Sequence, residues 1–343
     1  MRRLPAEWEP QTGVLLTWPH AATDWAAQLP ITEALYAQLA ALICRDEHVL
    51  IVCRDDAHRE QVCQLVLSAG AAPAQFRCAI APSNDTWARD HGPISVLTGA
   101  AAPLLLDFGF NGWGGKFSAD LDNQITGRLV AAGAFGDCQH ETSALILEGG
   151  ALETDGLGTL LAVRRTVLDS LRNPGWTQAA VEQELTARLG LRHFLWLEHG
   201  AISGDDTDGH IDTLARFCDP HTICYARCDD PEDADFAELA ALEQELRELR
   251  DPAGQPYRLV ALPCPTPILD EEGARLPAGY ANFLITNHAV LLPIYGDPVA
   301  DAVAQTTLAG LFPGREIRLL DCRPLIQQGG SLHCVTMQLA AAR

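Results

Sequence analysis

An α/β or α+β fold is predicted by three features of this sequence. Ten short apolar or alternating segments have strand length, helical stretches lie between them, and unusual polar residues recur at intervals near 60. In chain order, strands are expected at 14–18, 48–53, 104–108, 145–147, 159–163, 194–197, 258–262, 283–286, 290–294 and 317–320. Helices are expected at 31–44, 57–69, 177–189, 232–250 and 298–311, with Pro30, Asn173-Pro174, Gly190 and Pro313-Gly314 as boundary residues. The densest charge run, 229–235, reads as a solvated helix start. No low-complexity linker divides the chain, so residues 1–343 are read as a single domain.

The polar residues that interrupt this pattern are regularly placed. Asp90 and Glu148 are 58 residues apart, Glu148 and His210 are 62 apart, and His210 and Cys334 are 124 apart, twice 62. This period implies about five units, one of which has lost its polar marker, with equivalent turns meeting at a common centre.

Composition narrows the function. With 24 basic and 45 acidic side chains the formal charge is −21, which argues against a nucleic-acid partner and favours a cationic small molecule. Eleven scattered cysteines form no disulfide framework and fit reduced thiols in the cytoplasm. The amino-terminal MRRLPAEWEP turns acidic, and no apolar run reaches the roughly 18 residues of a membrane span, so no membrane association or export is expected.

Several segments could carry chemistry. Gly329-Gly330-Ser331-Leu332-His333-Cys334-Val335-Thr336 puts a cysteine on an expected strand after a flexible turn, where it is either a thiolate nucleophile or a buried structural thiol. In Gly204-Asp205-Asp206-Thr207-Asp208-Gly209-His210-Ile211-Asp212, a strand starting at His210 would put His210 and Asp212 on one face. That segment suits a manganese or zinc site, a general acid/base beside a cation-binding carboxylate, or merely a polar turn. In Asn84-Asp85-Thr86-Trp87-Ala88-Arg89-Asp90, Trp87 could wall a cation site, or the segment could be a surface loop. Glu148, at a strand end before Gly149-Gly150, must be paired or solvated. Asn111-Gly112-Trp113-Gly114-Gly115-Lys116 reads as a flap or a surface turn and lacks phosphate-loop spacing. Cys218, Cys224 and Cys228 match no common zinc spacing.

Taken together, these segments resemble the agmatine deiminase family of guanidine-modifying enzymes, related to bacterial peptidylarginine deiminases. The resemblance runs nearly end to end. It rests on Pro5-Ala6-Glu7-Trp8-Glu9-Pro10, Thr17-Trp18-Pro19, the 84–90 segment, and Phe108-Gly109-Phe110 running into 111–116. Glu148-Gly149-Gly150, Arg172-Asn173-Pro174, the 206–212 segment, Tyr280-Ala281-Asn282-Phe283 and His333-Cys334-Val335-Thr336 complete it. It implies a five-bladed, pseudo-symmetric α/β propeller, the pentein fold, with Cys334 as nucleophile and His210 as proton shuttle. It further implies that Glu148 orients His210, that Asp90 and Asp212 hold a guanidinium, and that Trp87 lines the site. A homodimer is an expectation of the family only. Ser331, where the resemblance leads one to expect asparagine, and Asp169-Ser170-Leu171 depart from the pattern and bear on substrate identity.

The expected reaction converts agmatine to N-carbamoylputrescine and ammonia through a covalent amidino intermediate on the cysteine, with no metal or organic cofactor. Rival readings are deimination of arginine, peptidyl-arginine or another alkylguanidine; a ureohydrolase with paired manganese on Asp205, Asp206, Asp208, His210 and Asp212; and a catalytically silent polyamine-binding protein.

Overall fold

The computed structural model describes residues 2–342 and contains five small sheets built on one plan. The first contains β1 (Gln11–Thr17), β2 (His48–Cys53) and β3 (Phe76–Ile80), all parallel. The second contains β4 (Ile94–Val96), β5 (Leu104–Gly109) and β6 (Gln139–Ile146). The third is β7 (Glu153–Thr154), β8 (Thr159–Val163) and β9 (His193–Leu197), and the fourth is β10 (Ala215–Asp219), β11 (Thr222–Arg227) and β12 (Arg258–Pro263). The fifth is β13 (Leu284–Ile285), β14 (Ala289–Ile294) and β15 (Glu316–Asp321). In each of these last four sheets an antiparallel pair is followed by a helical crossover to a parallel third strand. The final strand, β16 (Thr336–Ala340), pairs antiparallel with β1, placing Leu15 opposite Met337. First and last strands thus share a sheet and close the five-bladed α/β propeller.

Local chemistry explains the elements. β2, β8 and β14 are nearly continuous apolar runs, as expected of strands covered on both faces. Thr177 caps the Gln178–Leu189 helix by accepting from Ala180 N, and Gly190, at φ 76°, ends it in the left-handed region. Asp55 and Asp297 cap the Asp56–Ser68 and Pro298–Leu311 helices in the same way.

The expected strands at 48–53 and 159–163 match in both bounds, and the 145–147 segment overlaps the last two residues of the longer β6. Strands β3, β4, β7, β10 and β11 and the Ile125–Ala131 helix were not anticipated: β4 and β7 are too short to show periodicity, and Arg77 and Arg216 interrupt the apolar residues of β3 and β10. The 229–235 run is not simply solvated. The helix begins at Phe236, and Asp233 and buried Asp235 both hold Arg275. Among the described residues, no helix is long and apolar enough to cross a membrane.

Candidate active site

The turns preceding the inner strands β4, β7, β10, β13 and β16 bond to one another in a closed circuit. Gly150 N donates to Asp90 Oδ1 at 3.1 Å, and His210 Nε2 lies 3.3 Å from Glu148 Oε2. Asn282 Nδ2 donates to Asp212 O at 3.4 Å, His333 N donates to Asn282 Oδ1 at 2.8 Å, and Arg89 N donates to Cys334 O at 3.1 Å. Five segments remote in sequence therefore meet in one place. Two strand placements expected from sequence are corrected here: His210 precedes the short 3-10 turn Ile211–Thr213, and Cys334 sits in a turn two residues before β16. A turn lets the chain present successive polar side chains inward, whereas a strand would alternate them. The unit thought to lack a marker carries Asn282, which lies 72 residues after His210 and 52 before Cys334.

Cys334 Sγ lies 3.3 Å from Asn282 Nδ2 and 3.9 Å from Asp212 Oδ2. Burial, with Asp212 and Asp90 adding repulsion, pushes its thiol well above the ordinary range. His210 is fully buried; burial pulls its pKa down, but Asp90, Glu148 and Asp212 outweigh that and raise it to about 9. Its Nδ1 is 3.6 Å from Asp90 Oδ1. Asp90 is itself pushed up to about 6 by burial, with Asp212 and Glu148 contributing, while its Oδ2 accepts from Trp113 Nε1 at 3.0 Å. Asp212 Oδ2 is 2.7 Å from His333 Nδ1, and burial notwithstanding, that imidazole holds the carboxyl below its usual range. Two buried atoms of this cluster, Asp212 Oδ1 and His210 Nδ1, have no hydrogen-bond partner among the described residues.

Glu148 is not a solvated strand end: its side chain is 1% exposed, and Arg172 Nε donates to both oxygens at 2.9 and 3.0 Å. Arg172 also reaches Asp208 Oδ2 and Thr207 O, both at 2.9 Å, tying the Glu148 turn to the segment that precedes His210. Gly150 is required at its position, since a Cβ there would lie 2.5 Å from His210 Nδ1 and 2.9 Å from Asp90 Oδ1. The acidic segment does not converge on His210. Asp205 accepts from Thr207 N and Gly209 N, and Asp208 pairs with Lys116 and Arg172, so two of the carboxylates named for a manganese pair are engaged away from His210.

A cavity of about 290 Å³ opens from Cys334, small-molecule in scale. Trp87 and Trp113 line it, and Gly330 packs so closely on the Trp87 ring that a Cβ would come within 2.4 Å. Trp113 belongs to the one-turn helix Gly112–Gly115 of the expected flap and holds φ 54°, strained for a bulky side chain, with its indole on Asp90. Asp24, Asp85, Asp90, Asp206 and Asp270 bring carboxylates to the lining; its one arginine among the described residues, Arg275, is paired with Asp233 and Asp235. The residues without an assigned role in the sequence reading are Asn282, Arg172, Trp113 and His333. Each stands inside a motif that carried the resemblance, and that is the signal that could have found them.

The Porphyromonas-type peptidyl-arginine deiminase family matches residues 3–340 of the chain. A Yersinia pseudotuberculosis protein provisionally named an agmatine deiminase is 33% identical over 360 residues, covering 99% of this chain and 95% of its own. The solved structure of a Porphyromonas gingivalis protein, provisionally named an arginine deiminase, is 50% identical with a TM-score of 0.91 and covers 98% of both chains. C. jejuni agmatine deiminase with substrate bound is 32% identical with a TM-score of 0.90, covering 100% of this chain and 98% of its own. A match over nearly the whole length, together with relatives of this kind, means that the chain belongs to the Porphyromonas-type peptidyl-arginine deiminase family.

Proposed function

We propose that the protein hydrolyses agmatine to N-carbamoylputrescine and ammonia. The observation that carries this reading is the Cys334 thiol at a carboxylate-lined cavity whose arginine is already neutralised, with Asp212 behind it, Oδ2 3.9 Å from the sulfur and Oδ1 unpartnered. A buried acceptor with no partner suits an incoming N–H donor. A guanidinium between Asp90 and Asp212 would satisfy it and have its plane fixed beside the sulfur.

The substrate's positive charge offsets the two carboxylates that raise the thiol pKa, so the thiol proton leaves to water as substrate binds. The thiolate bonds to the guanidinium carbon, and the C=N electron pair moves onto nitrogen. His210, protonated at neutral pH, gives its proton to one terminal nitrogen, which departs as ammonia and leaves an amidino-thioether on Cys334. Neutral His210 then takes a proton from water as its oxygen attacks the same carbon. Collapse of that adduct forms the C=O bond of the urea, breaks the C–S bond to return the thiolate, and releases the hydroxyl proton to water. Glu148, fixed by Arg172, holds the ring of His210 throughout. A reducing cytoplasm suits such a thiol.

Deimination of free arginine or peptidyl-arginine is the second reading, favoured by the names of the family and of the P. gingivalis relative. An arginine carboxylate would enter a lining of five acidic residues. Ammonia release from chelator-treated protein with agmatine, arginine and an arginyl peptide in parallel separates the readings. Agmatine is expected to have the highest kcat/KM; faster turnover of either other compound would overturn the assignment.

A further inference from the structure

The amino-terminal segment Pro5-Ala6-Glu7-Trp8-Glu9-Pro10 has no part in the reaction described, yet its Glu7 is buried beneath the site. Glu7 Oε2 lies 2.8 Å from His333 Nε2, and the other ring nitrogen of His333 lies 2.7 Å from Asp212 Oδ2. Glu7 cannot drift, because Oε1 accepts from Ile285 N at 2.7 Å and Oε2 accepts from Arg216 Nη2 at 2.5 Å. The backbone N–H of His333 is pinned to Asn282 Oδ1. The imidazole is thus wedged between two carboxylates, with the guanidinium groups of Arg216 and Arg89 also acting on it. Both short contacts are hydrogen bonds only when the ring carries both protons or the second proton sits on a carboxylate.

We propose that Glu7, acting through His333, is a positioning residue that fixes one oxygen of Asp212 and leaves the other free for the guanidinium of the substrate. The inference rests on the proposed reaction. Without the His333 contact, Asp212 can rotate within the cluster and its unpartnered Oδ1 is no longer held in one place. The effect belongs mainly to substrate capture, since Cys334 and His210 contact neither Glu7 nor the ring of His333 through hydrogen bonds.

Amide side chains separate the two nitrogens of the ring. In His333→Asn the amide nitrogen takes the place of Nδ1 and still donates to Asp212; in His333→Gln it takes the place of Nε2 and serves only Glu7. With agmatine, His333→Gln and Glu7→Gln are expected to raise KM by about tenfold or more, the scale of a lost hydrogen bond to a charged group. His333→Asn, which keeps the Asp212 bond but gives up Glu7, should recover part of that loss, with kcat changed less than KM in all three. Equal KM for the Asn and Gln variants, or a fall in kcat alone, would overturn the inference. Should Glu7→Gln not fold, Glu7→Asp, which keeps the charge but draws the carboxylate back from His333, takes its place beside the two His333 variants. Wild-type protein inactive on every guanidine tested would instead sink the functional reading, so the two failures are distinguishable.

Discussion

Two buried charge clusters lie at the centre of this propeller, and they are finished to different degrees. In one, Arg216 donates from Nε to Glu153, from Nη2 to Glu7 and from Nη1 to the Ala281 and Phe283 carbonyls, while its guanidinium lies 4.6 Å from the Phe283 ring centre. Every edge of that cation is used. In the other, Asp90, Glu148, His210, Asp212 and Cys334 crowd together, yet Asp212 Oδ1 and His210 Nδ1 lack partners and Asp90 is pushed up to about 6. A closed cluster serves the fold; an open one awaits a charge from outside. His333 touches both, through Glu7 and Asp212.

The largest effect expected from the comparison is on stability. Arg216→Met would leave Glu7 and Glu153 buried without their cation, at a cost of about 3–5 kcal/mol in denaturant unfolding. A loss below about 1 kcal/mol would mean that the closed cluster is not a keystone of the fold.

A smaller, graded effect follows from the open cluster. Asp90 must be ionised to grip the guanidinium, so kcat/KM should fall as pH drops through about 6. His210 must be protonated to release ammonia, so kcat/KM should fall again as pH rises through about 9. The bell is expected with limbs near those values, changing about tenfold per pH unit beyond them. A profile flat across that whole range would contradict the assignment of the two groups.

The open cluster was more legible in the sequence than the closed one, for a physical reason. Asp90, Glu148, His210 and Cys334 each occupy the turn before an inner strand, so the blade period of near 60 stamped itself on their spacing. Asn282 escaped that reading because the stretch between β12 and β13 is long and moves the marker to 72 residues after His210. Most of the inner strands were illegible, since β4 and β7 are only three and two residues long, whereas β13 fell inside the apolar 283–286 segment. Glu7 and Arg216 are 209 residues apart and meet only through closure of the ring by β1 and β16. No local pattern announces such a pair.

Ammonia release from agmatine by Cys334→Ala, set beside the wild-type protein, tests the central claim most directly. The substitution removes the sulfur and leaves the surrounding turn circuit in place, so thermal unfolding should be nearly unchanged while turnover falls below about one ten-thousandth of wild type. Ammonia release persisting at an appreciable fraction of wild type would show that the open cluster does its chemistry without Cys334, and would contradict the account.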